Sequence, residues 1–201
     1  MTFLHSNDHA MGESNFDRRK LDFYPTPEWV TEAVVPFLLR HVDTITSVWE
    51  CAAGDGCMSR VLERHFEEVI STDVTDYGYP YCRSGVDFLA FPGSLRDRTL
   101  IITNPPYGDL AEAFIRQALK ITKKANGVVA MLVRHEYVCS KSRVDLFNKP
   151  PYARNVVLTT RPRWIPDSTG APRHNYDWCI WDWSWQQEPV QNFHIRGGKS
   201  T

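Results

Sequence analysis

Apolar runs alternate along most of this chain with segments in which apolar residues recur at helical spacing. After Thr26-Pro27 the helical spacing continues to Arg40, which predicts a helix that Thr26 caps and Pro27 begins. Short apolar runs predict strands at 45–50, 69–72, 100–103, 127–133 and 155–159, and alternating large aromatic residues predict a last strand at 176–185. Further helices are predicted at 59–66, 110–121 and 139–147. The alternation is typical of an α/β fold, a parallel sheet flanked by helices.

A rigid turn follows the strand predicted at 100–103. It consists of Asn104-Pro105-Pro106-Tyr107, called here the NPPY turn. Two prolines fix φ and donate no backbone hydrogen bond, so they stiffen the turn and end the strand. Open α/β sheets bind ligands at the carboxyl ends of their strands. The turn brings together an amide, a backbone carbonyl and an aromatic ring, which can hold a planar molecule with an exocyclic amine. The alternative is a plain turn between strand and helix.

A second turn, called here the glycine turn, covers residues 50–56 after the first predicted strand. Its small residues let the backbone approach a ligand closely, and the following helix offers free NH groups. Asp73 ends the next predicted strand, where a carboxylate can accept hydrogen bonds from ribose hydroxyls. The third glycine of the dinucleotide fingerprint is missing, so a nucleoside ligand without a pyrophosphate fits better than NAD.

Four motifs in one order carry a family resemblance. Phe23-Tyr24-Pro25-Thr26-Pro27 precedes the glycine turn, and Asp73, Asp87-Phe88 and the NPPY turn follow it. This order resembles that of the gamma class of DNA N-6 adenine methyltransferases, which are class I S-adenosylmethionine-dependent enzymes. The resemblance covers roughly residues 22–185. It implies a Rossmann-like fold with a seven-stranded, mostly parallel sheet, helices on both faces and an antiparallel last strand.

The resemblance also implies S-adenosylmethionine as the cofactor and no metal ion. Tyr24 and Thr26 would contact its methionine portion, and Asp87 would accept a hydrogen bond from its adenine amine. Asp87 can equally be a turn cap, and Phe88 a core residue. The residues that the resemblance assigns to cofactor binding are Tyr24, Thr26, Glu50, Ala52, Gly54, Asp55, Gly56, Asp73, Val74, Asp87 and Phe88.

The catalytic candidates are the four residues of the NPPY turn, Asn104, Pro105, Pro106 and Tyr107. An aromatic amine is a poor nucleophile because its lone pair is delocalised into the ring. The Asn104 side-chain oxygen and the Pro105 carbonyl can accept hydrogen bonds from such an NH2 group and orient it. Tyr107 would stack on the target base once that base has left a duplex.

Composition places the chain among globular proteins, with 42% hydrophobic and 23% charged residues. No apolar run approaches transmembrane length, and we expect no membrane association. The five cysteines are odd in number and lack CxxC spacing, which argues against zinc and for a reducing, cytoplasmic location. We expect a flexible arm at 1–20, one methyltransferase domain at 21–186 and a tail at 187–201. The late tryptophans 178, 181, 183 and 185 are expected to pack in the core.

Charge is distributed unevenly along the chain. Residues 134–174 carry eight Lys/Arg and three Asp/Glu, whereas the whole chain has a formal net charge of −1. A local basic surface suits the phosphate contacts of a nucleic acid partner, and a solvated basic face is the alternative. The resemblance implies that the partner is DNA. The candidate substrate residues lie in the segment 160–175, called here the basic loop: Arg161, Arg163, Trp164, Arg173, His174 and Asn175. The alternative is a solvated loop with Trp164 packed inward.

The predicted function is therefore methyl transfer to an exocyclic amine, with N-6 of adenine in DNA as the preferred target. Gamma-class enzymes usually carry a separate target-recognition domain, and we expect this chain to lack one. The same NPPY turn would also suit RNA bases or a protein glutamine amide. A non-catalytic nucleic-acid-binding module with a degenerate cofactor site is a further alternative. The oligomeric state stays open.

Overall fold

The computed structural model describes residues 24–41, 44–165 and 168–197. The predicted arm at 1–20 and Phe23 lie outside these residues. Within them, eight strands form one sheet in the order β3-β2-β1-β4-β5-β7-β6-β8. The strands are β1 Ser47–Glu50, β2 Val69–Thr72, β3 Cys82–Arg83, β4 Thr99–Thr103, β5 Val128–Arg134, β6 Tyr152–Leu158, β7 Tyr176–Asp182 and β8 Val190–His194.

The sheet is mostly parallel, as predicted. Only β7 runs antiparallel to its neighbours, and it lies between β5 and β6. The predicted count of seven strands is wrong by one among the described residues. The two edge strands, β3 and β8, are the ones that the pattern of apolar residues did not locate, and β8 is parallel to β6. Strand β8 falls within the residues expected to form a tail. Its residues alternate between exposed and half-buried, so it lacks the apolar run that marks a buried strand.

Five short or medium α-helices occur in the described ranges: α1 Glu28–Glu32, α2 Val35–Leu38, α3 Cys57–Leu62, α4 Asp109–Thr122 and α5 Val144–Phe147. The single helix predicted as far as Arg40 is wrong. It is divided into α1, α2 and a 3₁₀ turn at Leu39–His41, and Pro36 stands in the first turn of α2. A proline has no N–H to bond to the preceding turn, which accounts for the break. No helix in these ranges combines the length and apolar character needed to cross a bilayer.

Apolar side chains fill both faces of the sheet, since successive residues of a strand point to opposite sides. One face packs Val48, Leu100 and Trp178 against the first three helices, and the other packs Ile101 and Trp181 against α4 and α5. The predicted core role of Trp178 and Trp181 is confirmed by their complete burial. The Trp178 indole N–H donates to the Val30 carbonyl at 2.8 Å. This bond fixes α1 to the sheet.

Candidate active site

A cavity of about 380 Å³ lies at the carboxyl ends of β1, β2 and β4. Asn104 and Pro106 of the NPPY turn line the cavity, whereas Pro105 and Tyr107 do not. Ten of the eleven predicted cofactor residues also line it: Tyr24, Thr26, Glu50, Ala52, Gly54, Asp55, Asp73, Val74, Asp87 and Phe88. The fold therefore brings the two turns and Asp73 together at one site.

Gly56 is the predicted cofactor residue that does not line the cavity. It precedes α3 with φ +80°, a left-handed conformation that side chains rarely adopt. A Cβ at this position would lie 2.5 Å from the Tyr79 ring. Gly56 therefore shapes the start of α3 by its conformation and its lack of a side chain.

Asp73 holds the glycine turn in place. Its Oδ2 accepts a hydrogen bond from the Gly54 backbone N–H at 2.9 Å, and its Oδ1 accepts one from the Thr75 N–H at 2.8 Å. Gly54 has φ +55°, which a glycine adopts without strain. The carboxylate, itself buried, thereby connects the end of β2 to the turn after β1. Each of its oxygens keeps lone-pair capacity for a further donor.

Glu50 is a buried carboxyl at the wall of the cavity. Its Oε2 accepts from the Ser59 hydroxyl at 3.0 Å and its Oε1 accepts from the Thr103 hydroxyl at 3.1 Å. Burial raises the pKa of Glu50 to about 8, against the lowering effect of these two hydrogen bonds. The side chain thus joins β1, α3 and β4, and it gains a negative charge most readily when a cation occupies the cavity.

Asn104 has one end of its amide bonded and the other end free to accept. Its Nδ2 donates to the Thr26 Oγ1 at 3.2 Å. Its Oδ1 is buried and has no hydrogen-bond partner among the described residues. Leaving a buried acceptor unpaired costs about 1–3 kcal/mol, so the site is arranged for an incoming N–H or O–H donor.

Thr26 has a different role from the predicted cap. The residue before α1 is Pro27, and no side chain caps this helix. The prediction that Thr26 caps it is wrong, because the Thr26 hydroxyl accepts from the Asn104 amide instead. The buried Thr26 hydroxyl therefore serves the NPPY turn rather than the helix start.

The Tyr107 ring is held by contacts within the protein. It lies 5.6 Å from the Tyr24 ring at an interplanar angle of 48°, and the Arg134 guanidinium lies 5.4 Å from its centre. Its hydroxyl is 3.2 Å from that of Tyr176, and burial raises the Tyr107 pKa. Tyr107 therefore stands beside the cavity as a fixed neutral ring, and its stacking on a base stays a prediction.

Both structural alternatives for Asp87 and Phe88 are present at the cavity wall. The Asp87 carboxylate accepts from the Leu89 N–H at 2.9 Å and caps the 3₁₀ turn Phe88–Ala90. The Phe88 ring is buried against Trp49 and Phe114, with ring centres 5.3 and 5.0 Å away. These contacts do not prevent either residue from meeting a ligand, since both also line the cavity.

The substrate candidates of the basic loop are partly gathered at a second, open groove of about 930 Å³. Arg161, Arg163, Trp164 and Asn175 line this groove, whereas Arg173 and His174 do not. The Arg161 guanidinium donates to the Asn175 Oδ1 at 2.8 Å. Trp164 is half-buried and packs edge-on against Tyr176 at 4.9 Å, which agrees with the inward alternative.

Several lining residues have no distinguishing signal in the sequence. Met58, Leu110 and Phe114 line the cavity, yet their positions look like ordinary apolar positions of a helix. Trp29 and Arg196 line the second groove and are far apart in the chain. In the described ranges, no group of three His, Cys, Asp or Glu side chains has the arrangement of a metal site.

Comparison with known proteins finds solved structures that resemble the whole chain. No family model and no curated protein matches the chain. A proposed RNA methyltransferase from Pyrococcus horikoshii matches with TM-score 0.58 and 20% identity, over 85% of this chain and 88% of that one. The type I restriction-modification methyltransferase subunit from Streptococcus thermophilus matches with TM-score 0.58 and 13% identity, over 85% of this chain and 47% of that one. A modification subunit of a proposed type I restriction enzyme from Vibrio vulnificus matches with TM-score 0.55 and 18% identity, over 89% of this chain and 49% of that one.

These likenesses establish the fold. The chain has the Rossmann-like α/β fold of class I S-adenosylmethionine-dependent methyltransferases, to which several of the matched structures belong. It spans about half the length of the type I subunits that it matches. The cavity lies at the carboxyl edge of the parallel strands, where this kind of sheet binds its ligands.

Proposed function

We propose that the protein is an S-adenosylmethionine-dependent methyltransferase that acts on an exocyclic amine, N-6 of adenine in DNA. One observation carries the proposal: the Asn104 Oδ1 is a buried acceptor without a partner among the described residues, and it belongs to a cavity shared with the glycine turn and Asp73. An amine donor at that oxygen would stand beside the site assigned to the cofactor.

The cavity fits the cofactor in the chemistry of its walls. Glu50, whose ionisation a cation favours, would face the positively charged methionine portion. Asp73 would accept from the ribose hydroxyls with its remaining lone pairs, and Phe88 and Val74 would provide apolar contacts for the adenine ring. When bound, S-adenosylmethionine supplies an electrophilic methyl group on its sulfonium.

The NPPY turn would make the amine reactive. Asn104 Oδ1 accepts one N–H of the substrate amine, and the Pro105 carbonyl accepts the other. This pairing draws the nitrogen away from planarity and fixes its lone pair in the direction of transfer. Thr26 keeps the amide in the required orientation, because it takes up the Nδ2 donor. The chemistry needs no strong base, since the nitrogen becomes acidic once it is methylated.

The choice of adenine in DNA depends on the order of the motifs and on the basic loop. The matched structures include subunits of type I restriction-modification systems, and also a proposed RNA methyltransferase. An RNA base presents the same NH2 group to Asn104, so RNA is the second candidate. We propose a cytoplasmic enzyme without a metal ion, because the five cysteines are odd in number and lack CxxC spacing.

Transfer of a radiolabelled methyl group tests the proposal. The protein is incubated with labelled S-adenosylmethionine and, separately, with unmethylated DNA, with RNA and with a protein lysate. Digestion to nucleosides should then show N6-methyladenine from DNA. Label confined to RNA or to protein would overturn the DNA assignment. Absence of both transfer and cofactor binding would overturn the enzyme and favour a non-catalytic module.

A further inference from the structure

The open groove beside the cavity has a composition of its own. Pro25 lines both, so the groove begins where the cavity ends. The groove walls carry two indole rings and three guanidinium groups, and no Asp or Glu is found among the described lining residues. The charged and aromatic residues of the groove are Trp29, Arg161, Arg163, Trp164 and Arg196.

The three arginines of the groove keep their positive charge unneutralised within the described part of the chain. Arg161 donates to the Asn175 side chain and the Pro172 carbonyl, and Arg163 donates to Ser168 and to the Gly170 carbonyl. All these acceptors are neutral. Arg196 has no carboxylate partner among the described residues, and its guanidinium lies 4.9 Å from the centre of the Trp29 ring. A groove with this charge attracts an anion.

Trp29 supplies a rigidly placed ring beside that charge. It stands in α1, whose Val30 carbonyl accepts from the buried Trp178 indole at 2.8 Å. The ring is half-buried and lies nearly parallel to His194 of β8, at an angle of 20° and a centroid distance of 6.3 Å. Strand β8, which was not predicted from the sequence, therefore places His194 against the first helix, and Arg196, just after the strand, lies there too.

We propose that this groove, called here the Trp29–Arg196 groove, holds the unpaired nucleic acid strand next to the target nucleotide. Arg196 pairs with a backbone phosphate, and a base packs against Trp29. Positive grooves with aromatic side chains bind single strands in this way, largely without regard to sequence. The inference rests on the proposed function, which identifies the neighbouring nucleotide as the one that is methylated. Its position follows from Pro25, which joins the groove to the cavity that contains Asn104.

Single-strand binding is measured directly, without methyl transfer. The probe is a short fluorescein-labelled oligodeoxynucleotide with one adenine, titrated by anisotropy in the presence of S-adenosylhomocysteine. Trp29→Leu should weaken binding by about 5-fold to 150-fold, the range found when a base-stacking ring is removed. Trp29→Phe keeps a ring and should retain most of the affinity. An RNA oligonucleotide of the same sequence shows whether the groove prefers RNA or DNA. Tight binding of either strand supports the groove.

Arg196→Ala tests the phosphate contact through the salt dependence of oligonucleotide binding. The slope of the logarithm of the binding constant against that of the salt concentration should become shallower by about 0.7, the value for one phosphate of a single strand. Lys123→Ala is the matched control. Its ammonium lies 5.4 Å from the Trp183 ring, outside the groove, and its loss should leave both affinity and slope unchanged.

Unchanged oligonucleotide affinity and salt slope in both Trp29→Leu and Arg196→Ala would overturn the groove. So would an equal loss in Lys123→Ala, or a wild-type protein that binds neither strand. Thermal melting and S-adenosylhomocysteine binding show whether each variant is folded. Strand binding that depends on Trp29 and Arg196, with no methyl transfer to any substrate, would support the groove and contradict the enzyme. Methyl transfer to DNA with an unchanged KM for DNA in both variants would support the enzyme and contradict the groove.

Discussion

The Asn104 amide nitrogen donates to the Thr26 hydroxyl at 3.2 Å, across 78 positions of the chain. This bond orients the Asn104 amide, because the nitrogen is occupied and the oxygen is left as the end that can accept. Thr26 belongs to the segment before α1, and Asn104 follows β4. Two motifs that the sequence separates therefore act as one unit. The relationship gives Thr26 a positioning role in addition to its place in the cavity wall.

Thr26→Val should lower kcat with little change in substrate KM. The substitution keeps the shape of the buried side chain but removes the acceptor, so the Asn104 amide is free to rotate. A net hydrogen bond of about 0.5–1.5 kcal/mol corresponds to a decrease of about 2-fold to 13-fold. Thr26→Ser keeps the hydroxyl and should restore most of the rate. Steady-state kinetics with both variants would contradict the positioning role if Thr26→Val turned over like the wild type.

Asp73→Ala should weaken cofactor binding by about 10-fold to 100-fold, as expected for the loss of hydrogen bonds to a charged group. The variant removes the proposed ribose acceptor and also frees the Gly54 N–H. Titration calorimetry with S-adenosylhomocysteine measures the effect. Asp76→Ala is the control, since Asp76 makes a similar bond to the Gly78 N–H at 2.8 Å outside the cavity. Equal affinities for the Asp73 and Asp76 variants would remove Asp73 from the cofactor site.

The contribution of Glu50 to the stability of the protein should fall as pH rises between about 4.5 and about 8. With its pKa raised to about 8, Glu50 stays protonated in the folded state at pH values at which the unfolded chain, with an ordinary pKa of 4.5, has released the proton. The folded state binds more protons in this window, so a higher pH favours unfolding by up to about 1.4 kcal/mol per pH unit from this group.

Urea unfolding at several pH values checks the Glu50 contribution. Glu50→Gln has no titrating group, so its unfolding free energy should depend less steeply on pH than that of the wild type. Glu67→Gln, at an exposed position, should keep the wild-type slope. A Glu50→Gln slope indistinguishable from that of the wild type would show that Glu50 does not titrate with a raised pKa.

The buried Arg98–Asp182 ion pair should be far more important for stability than a surface pair. The Arg98 Nη1 lies 2.9 Å from the Asp182 Oδ1, and both residues are buried. Arg98→Met should lower the unfolding free energy by about 3–5 kcal/mol, because it removes one partner of a buried ion pair. Arg96→Met removes the exposed partner of Glu68 and should change stability much less. Similar denaturant midpoints for the two variants would contradict this ranking.

The buried half of the sheet could be predicted from sequence, and its exposed edge could not. Strand β2 has the predicted bounds, and β4 ends where the NPPY turn begins. Both could be predicted because apolar runs and prolines determine strand positions through the local sequence. Strand β8 was beyond prediction because Gln191 and Asn192 interrupt any apolar pattern, and its place depends on tertiary contacts such as the pairing with β6. The break at Pro36 was predictable in principle, from the missing N–H of proline.

The cavity could be located from motifs, but the bonds within it depend on tertiary structure. Residues that end parallel strands must meet at one edge, so the glycine turn, Asp73 and Asn104 were placed correctly at one cavity. The pairing of Thr26 with Asn104 has no local pattern, and the usual capping rule pointed elsewhere. Trp29 and Arg196 meet only because β8 brings them together.

Methyl transfer by Asn104→Ala, measured beside its cofactor affinity, tests the central claim most directly. The variant loses the unpaired Oδ1 acceptor, and the loss of one such preorganised group lowers kcat by about 100-fold to 1000-fold. We predict a decrease of this size, with S-adenosylhomocysteine bound as tightly as by the wild type, while Asn104→Asp, which keeps an acceptor, retains part of the activity. Turnover by Asn104→Ala at the wild-type rate would contradict the account.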